Sequence, residues 1–115
     1  MKVKLKIKLT GAEDLYLECF GIKTSNTIKY LEKDLIVNIK YLKEELIIKR
    51  SNSDYQVTIK LNKKKKTIST YEFVGGNKIF NLETKTNKLF ISDDKIIAEY
   101  NLEGNDFKFI LEVIK

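Results

Sequence analysis

Apolar and polar residues alternate singly over residues 2–9. Val3, Leu5, Ile7 and Leu9 take one parity, and Lys2, Lys4, Lys6 and Lys8 take the other. A period of two cannot make a helical stripe, but in a strand it makes one dry face and one wet face. The four apolar side chains are therefore expected inside and the four lysines outside.

The same rhythm recurs along the chain. After Thr10-Gly11, Leu15, Leu17 and Cys19 alternate with Tyr16, Glu18 and Phe20. Ile28, Tyr30 and Glu32 share a parity, and Lys33-Asp34 connects them tightly to Leu35, Val37, Ile39 and Tyr41. Residues 36–49 also fit helical spacing through Ile39, Leu42 and Leu46. Their β-branched neighbours favour a hairpin turning at 42–44 instead. Ser51-Asn52-Ser53-Asp54 is a turn by composition, followed by Tyr55, Val57, Ile59 and Leu61 on one parity. Residues 67–74 alternate with poor polarity. Gly75-Gly76 is a hairpin signal. Phe80, Leu82, Thr84 and Thr86 make one strand, and residues 89–91 read as a separate short piece ending at Ser92-Asp93-Asp94. Ile96, Ala98, Tyr100 and Leu102 precede the Glu103-Gly104-Asn105 turn, and Phe107, Phe109, Leu111 and Val113 close the chain.

Nine to eleven strands at roughly ten-residue spacing, joined by short turns, point to an all-β sandwich or closed barrel. No stretch carries the strand–helix–strand rhythm of a parallel sheet. With 115 residues, no linker and no proline, one domain over 1–115 is expected.

Composition narrows the chemistry more than the fold. The net charge of +6 admits an anionic partner such as nucleic acid or an anionic lipid surface. Yet the basic residues are 21 Lys to one Arg, alongside 15 Ile and 9 Asn. A/T-rich codon usage writes the same bias, and nucleic-acid readers favour the arginine fork. The chain has no 18-residue apolar run, and its N-terminus lacks the continuous apolar stretch of a signal peptide. With Cys19 as the one cysteine, a reducing, cytoplasmic setting is expected.

No His is present, which removes the usual general base and metal ligand near neutral pH. One Cys is too few for a zinc site, and no phosphate loop or dinucleotide fingerprint occurs. No cofactor, metal site or catalytic residue is expected, and the chain does not read as an enzyme. Cys19, in phase with Leu15 and Leu17, reads as a buried structural thiol. Asp93-Asp94 reads as a polar turn rather than a cation site.

Two clusters remain. Lys60 with Lys63, Lys64, Lys65 and Lys66 is the densest basic run. It is a candidate polyanion contact or, more simply, a solvated hairpin tip. It contains no aromatic residue for base stacking. The second cluster is Glu32 with Arg50. Each follows apolar residues at spacing two, so both point inward at the ends of strands separated by one other strand. That puts them at one barrel mouth, two strand spacings or roughly 9.6 Å apart. Tyr30, Tyr71, Tyr100, Thr84 and Ser69 could line the same interior. The pair is either a structural plug or the polar end of a ligand site in which Arg50 grips an anionic group.

Tyr30-Leu31-Glu32, Arg50-Ser51-Asn52, Tyr71 with Gly75-Gly76, Thr84 after Leu82, and Ala98-Glu99-Tyr100 occur in an order and spacing that resembles the YwiB-like family of small bacterial proteins. The likeness runs over residues 28–114. It implies a lipocalin-like, calycin-type barrel, here a single antiparallel up-and-down barrel of about 8–10 strands, and no reaction, because the family carries no established activity. The chain departs from the family pattern in a shorter N-terminal region, in Phe73 where Thr is frequent, and in Asn52 where Gly follows Arg-x. Asn tolerates the left-handed conformation such a Gly supplies. The functional expectation is a non-enzymatic small-ligand-binding barrel for an apolar or amphipathic anion, with Tyr30, Glu32, Arg50, Tyr71, Thr84 and Tyr100 at the site. The alternative is a basic module that binds RNA or another anionic surface through its lysines.

Overall fold

The computed structural model describes residues 1–11, 14–76 and 78–114. Its strands are β1 (Lys2–Thr10), β2 (Leu15–Lys23), β3 (Thr27–Glu32), β4 (Leu35–Tyr41), β5 (Glu45–Ser51), β6 (Tyr55–Asn62), β7 (Thr67–Phe73), β8 (Ile79–Ile91), β9 (Lys95–Leu102) and β10 (Asn105–Ile114). Each pairs antiparallel with its neighbours in sequence, and β1 pairs with β10, so the sheet closes as an up-and-down barrel of ten strands. That is two more than the lipocalin barrel has. No helix occurs among the described residues, and residues 42–44 turn between β4 and β5 as expected.

The alternation decides which side is dry. Leu5 and Ile7 are fully buried, Val3 and Leu9 are half-buried near the strand ends, and Lys2, Lys4, Lys6 and Lys8 are exposed. Across the barrel, Val37, Ile39, Leu46, Ile48, Phe109 and Leu111 join them in one contiguous core. Burying an aliphatic or aromatic side chain of this size contributes about 1.5–3 kcal/mol.

One element differs from the expected pattern. Residues 79–91 form one long strand rather than two. A β-bulge between Thr86 and Lys88 shifts the register, so Thr86 faces Tyr100 while Lys88 faces Glu99. The extra residue, Asn87, reverses the parity. Inward positions are even up to Thr86 and odd from Leu89, which is why the alternation looks broken at that point.

The connections β1–β2, β3–β4, β5–β6, β7–β8 and β9–β10 lie at one end of the barrel, here called the first mouth. The remaining connections and both termini lie at the second mouth. The wall is weakest between β2 and β3, which register at only two pairs, Ile22 with Lys29 and Lys23 with Ile28. Gly21 sits where these strands part. A Cβ there would fall 2.7 Å from a Leu5 methyl and 2.7 Å from the Lys29 carbonyl oxygen, so the close approach requires glycine.

Candidate functional site

A single register row crosses five strand pairs near the first mouth: Tyr30, Val37, Arg50, Val57, Tyr71 and Phe80 stand opposite one another in turn. Glu32 lies one inward position beyond Tyr30. Parity and register thus carry Glu32 and Arg50 to the same rim on either side of β4.

There Arg50 Nε stands 3.6 Å from Glu32 Oε1, with the two side chains only 12% and 11% exposed. At that distance the charges attract, but no hydrogen bond forms. Tyr30 Oη, Glu32 Oε1, Arg50 Nε and Arg50 Nη2 are all sealed from solvent without a hydrogen-bond partner among the described residues. A buried polar atom left in this way is costly, and four in one place are rare in a folded domain.

The electrostatics centre on Arg50. Burial pushes the Tyr30 hydroxyl well above the ordinary phenol range. The Arg50 charge works against that rise, and the Glu32 charge and Cys19 add to it. Burial likewise raises Tyr100, with Arg50 again opposing. Cys19 is half-buried, and its thiol is raised by burial and then by the Glu32 charge. A raised thiol stays protonated and is a poor nucleophile.

Aromatic rings form the rim. Tyr55 stacks on Tyr71 at 5.5 Å between centroids, Phe73 meets Tyr71 edge-on at 5.0 Å, and Phe80 meets Phe73 edge-on at 6.3 Å. Tyr55 and Tyr71 are half-buried, whereas Phe73 and Phe80 are exposed. Asn52 ties the rim together. Its Oδ1 accepts from the Asp54 and Tyr55 amides at 2.8 and 3.0 Å, and its Nδ2 donates to Asp34 Oδ2 at 3.1 Å. Asn52 is not in the left-handed region, which the non-glycine residues Lys33 and Glu103 occupy. It holds the β5–β6 turn through its side chain, not through the backbone freedom expected of a glycine substitute.

Thr84 and Ser69 are fully buried but serve the wall. The β6–β7 ladder ends at Thr58 and Thr70. Beyond it, the Lys60 amide donates to Ser69 Oγ at 3.0 Å, Ser69 Oγ lies 2.7 Å from Thr84 Oγ1, and Thr84 Oγ1 donates to the Leu82 carbonyl at 3.0 Å. One assignment of protons satisfies the whole chain: Lys60 to Ser69, Ser69 to Thr84, Thr84 to Leu82. The Asn62 amide donates to Thr86 Oγ1 at 3.2 Å in the same manner. These hydroxyls replace the missing ladder bonds. Tyr100, also fully buried, stacks on Phe107 at 5.6 Å.

The lysine run sits between β6 and β7 at the second mouth, the far end from Arg50. Lys60, Lys63, Lys64, Lys65 and Lys66 are all exposed. Lys64 Nζ approaches Glu44 at 3.3 Å and Lys66 Nζ approaches Glu83 at 3.5 Å. The rim residues Tyr55 and Asn52 escaped the sequence reading as site residues. Tyr55 opens a clean inward alternation, so its parity carried the signal. Among the described residues, no group of acidic, Cys or His side chains could hold a metal ion, and no helix is long and apolar enough to cross a membrane.

No family model matches the sequence, and no curated protein matches it. Among solved structures the chain is similar to the crystal structure of the ywiB protein from Bacillus subtilis, with a TM-score of 0.67 and 16% identity over 99% of this chain and 91% of that one. The chain shares its fold with the YwiB-like proteins its sequence resembles.

Proposed function

We propose that the chain is a non-catalytic binding barrel whose first mouth receives the anionic group, a carboxylate or phosphate, of an apolar or amphipathic small molecule. The observation that carries this reading is the set of four partnerless buried polar atoms on Tyr30, Glu32 and Arg50 beneath an aromatic rim. An anion held by Arg50 would accept from its free donors and from the Tyr30 hydroxyl, removing most of that desolvation cost. The apolar part would lie against Tyr55, Tyr71, Phe73 and Phe80, because Leu5, Ile39, Ile48, Phe109 and Leu111 occupy the barrel below. With Thr84 committed to the wall, the contacts are Tyr30, Arg50, Tyr71 and the rim, and Glu32 holds the Arg50 guanidinium in place from its other side.

Titration calorimetry with decanoate, and with decanol as its uncharged counterpart, tests the reading. Decanoate is expected to bind more tightly than decanol, and the Arg50→Met/Glu32→Leu double variant is expected to stay folded and lose the difference. Equal affinity of the native chain for both probes, or a preference for decanoate that survives in the folded double variant, would show the pair to be a structural plug alone.

A further inference from the structure

We propose that the outer wall of β1–β3 docks on an anionic lipid bilayer. The proposal is independent of the site at the first mouth. It begins from side chains on the wet parity of their strands that are not polar. Phe20, Ile22 and Leu31 are 61%, 52% and 64% exposed. They flank the line where β2 and β3 part, and with Lys2, Gly21 and Lys29 they line a groove of about 270 Å³ on the outer surface. Ile36 extends the patch, since it stands opposite Leu31 across the β3–β4 pair and is also exposed. A contiguous apolar patch on an outer wall marks an interaction surface.

The charge around the patch selects the partner. On the outward parity of β1 to β4 the charged residues are Lys2, Lys4, Lys6, Lys8, Lys29 and Lys40 against one carboxylate, Glu18. Lys2 and Lys4 stand directly opposite Ile22 and Phe20, and Glu18 stands opposite Lys6. Apolar side chains ringed by lysines match the layered chemistry of a bilayer surface, with anionic headgroups outside and acyl chains beneath. The same ring fits a nucleic acid less well. Ile22, Leu31 and Ile36 offer no face for base stacking, and the Lys2 ammonium already sits 4.6 Å over the Phe20 ring.

The chain has no Trp, so Phe20→Trp places a single reporter in the patch. Vesicles of phosphatidylcholine alone are compared with vesicles that also contain phosphatidylserine, in about 0.15 M salt. Only the phosphatidylserine vesicles are expected to shift the emission to the blue, and bromine-labelled acyl chains are expected to quench it. Lys2→Gln and Lys29→Gln should each weaken binding about fivefold. Leu31→Ser should weaken it further, and Lys63→Gln with Lys65→Gln at the second mouth should leave it unchanged. Absence of binding, binding without quenching by the labelled chains, equal loss from both sets of lysine variants, or displacement of the vesicles by poly(U) would each overturn the proposal.

Discussion

The Arg50 guanidinium and the Glu32 carboxylate face each other across β4 at 3.6 Å, inside the barrel wall and short of a hydrogen bond. Neither charge has another partner among the described residues, so each is the main compensation for the other. Removing one partner of a buried pair typically costs about 3–5 kcal/mol, while a well-packed apolar replacement of both is often neutral. Arg50→Ala is therefore expected to lower the urea midpoint strongly, and Arg50→Met/Glu32→Leu to recover most of it. A mild Arg50→Ala phenotype would mean that water already solvates the pair.

Tyr30 makes stability fall on the alkaline side. Its folded pKa is raised by burial above that of an unfolded tyrosine, so the folded state keeps a proton that the unfolded state releases. The contribution is complete below about pH 10 and declines above it, by about 1.4 kcal/mol per pH unit, until the folded group titrates. Denaturant unfolding at pH 9, 10 and 11 should show a steeper loss for the native chain than for Tyr30→Phe. Equal slopes would place the hydroxyl in solvent.

Asn52 makes three side-chain hydrogen bonds that join the β5–β6 and β3–β4 turns beside the site. Asn52→Ala should cost about 1–2 kcal/mol, discounted for their exposure to water. Asn52→Gly should be no milder, because the native backbone there is not left-handed and glycine only adds freedom to the unfolded chain. A Gly variant more stable than the Ala variant, measured by thermal unfolding, would contradict that account.

Parity made most of this legible in the sequence. Alternation over residues 2–9 decides which side of β1 is dry, and the same count puts Glu32 and Arg50 inside, at one rim. It failed where an inserted residue reverses it, at the Asn87 bulge. It was silent where a side chain departs from the role its parity suggests. Ser69 and Thr84 carry the inward parity of ligand-contacting hydroxyls, yet they repair a gap in the β6–β7 ladder, and that gap depends on strand splay that no local pattern encodes. Phe20 and Leu31 had the outward parity in plain view. Their meaning depends on the lysines of a neighbouring strand and on the parting of β2 from β3. Asn52 reads as a turn residue by composition, but composition does not say whether its backbone or its side chain holds the turn, and one of the three side-chain bonds reaches Asp34, eighteen positions earlier.

Cys19 provides a reporter for the charge on Glu32. Continuing the β2–β3 register beyond its last pair brings Cys19 opposite Glu32, where the strands separate. Burial is the larger cause of the raised thiol pKa, and the carboxylate charge is the next. A thiol reacts as its thiolate, so the rate of iodoacetamide labelling against pH follows that pKa. The midpoint in the folded chain should lie above that of the urea-unfolded chain. Glu32→Gln removes the negative charge and keeps the shape, so it should move the midpoint down, but not to the unfolded value, because the burial remains. An anion seated at Arg50 adds negative charge near the thiol, so decanoate should move the midpoint of the native chain up. A midpoint that does not respond to Glu32→Gln would mean that water between the strands screens the carboxylate from the thiol, and that the seam between β2 and β3 is wet.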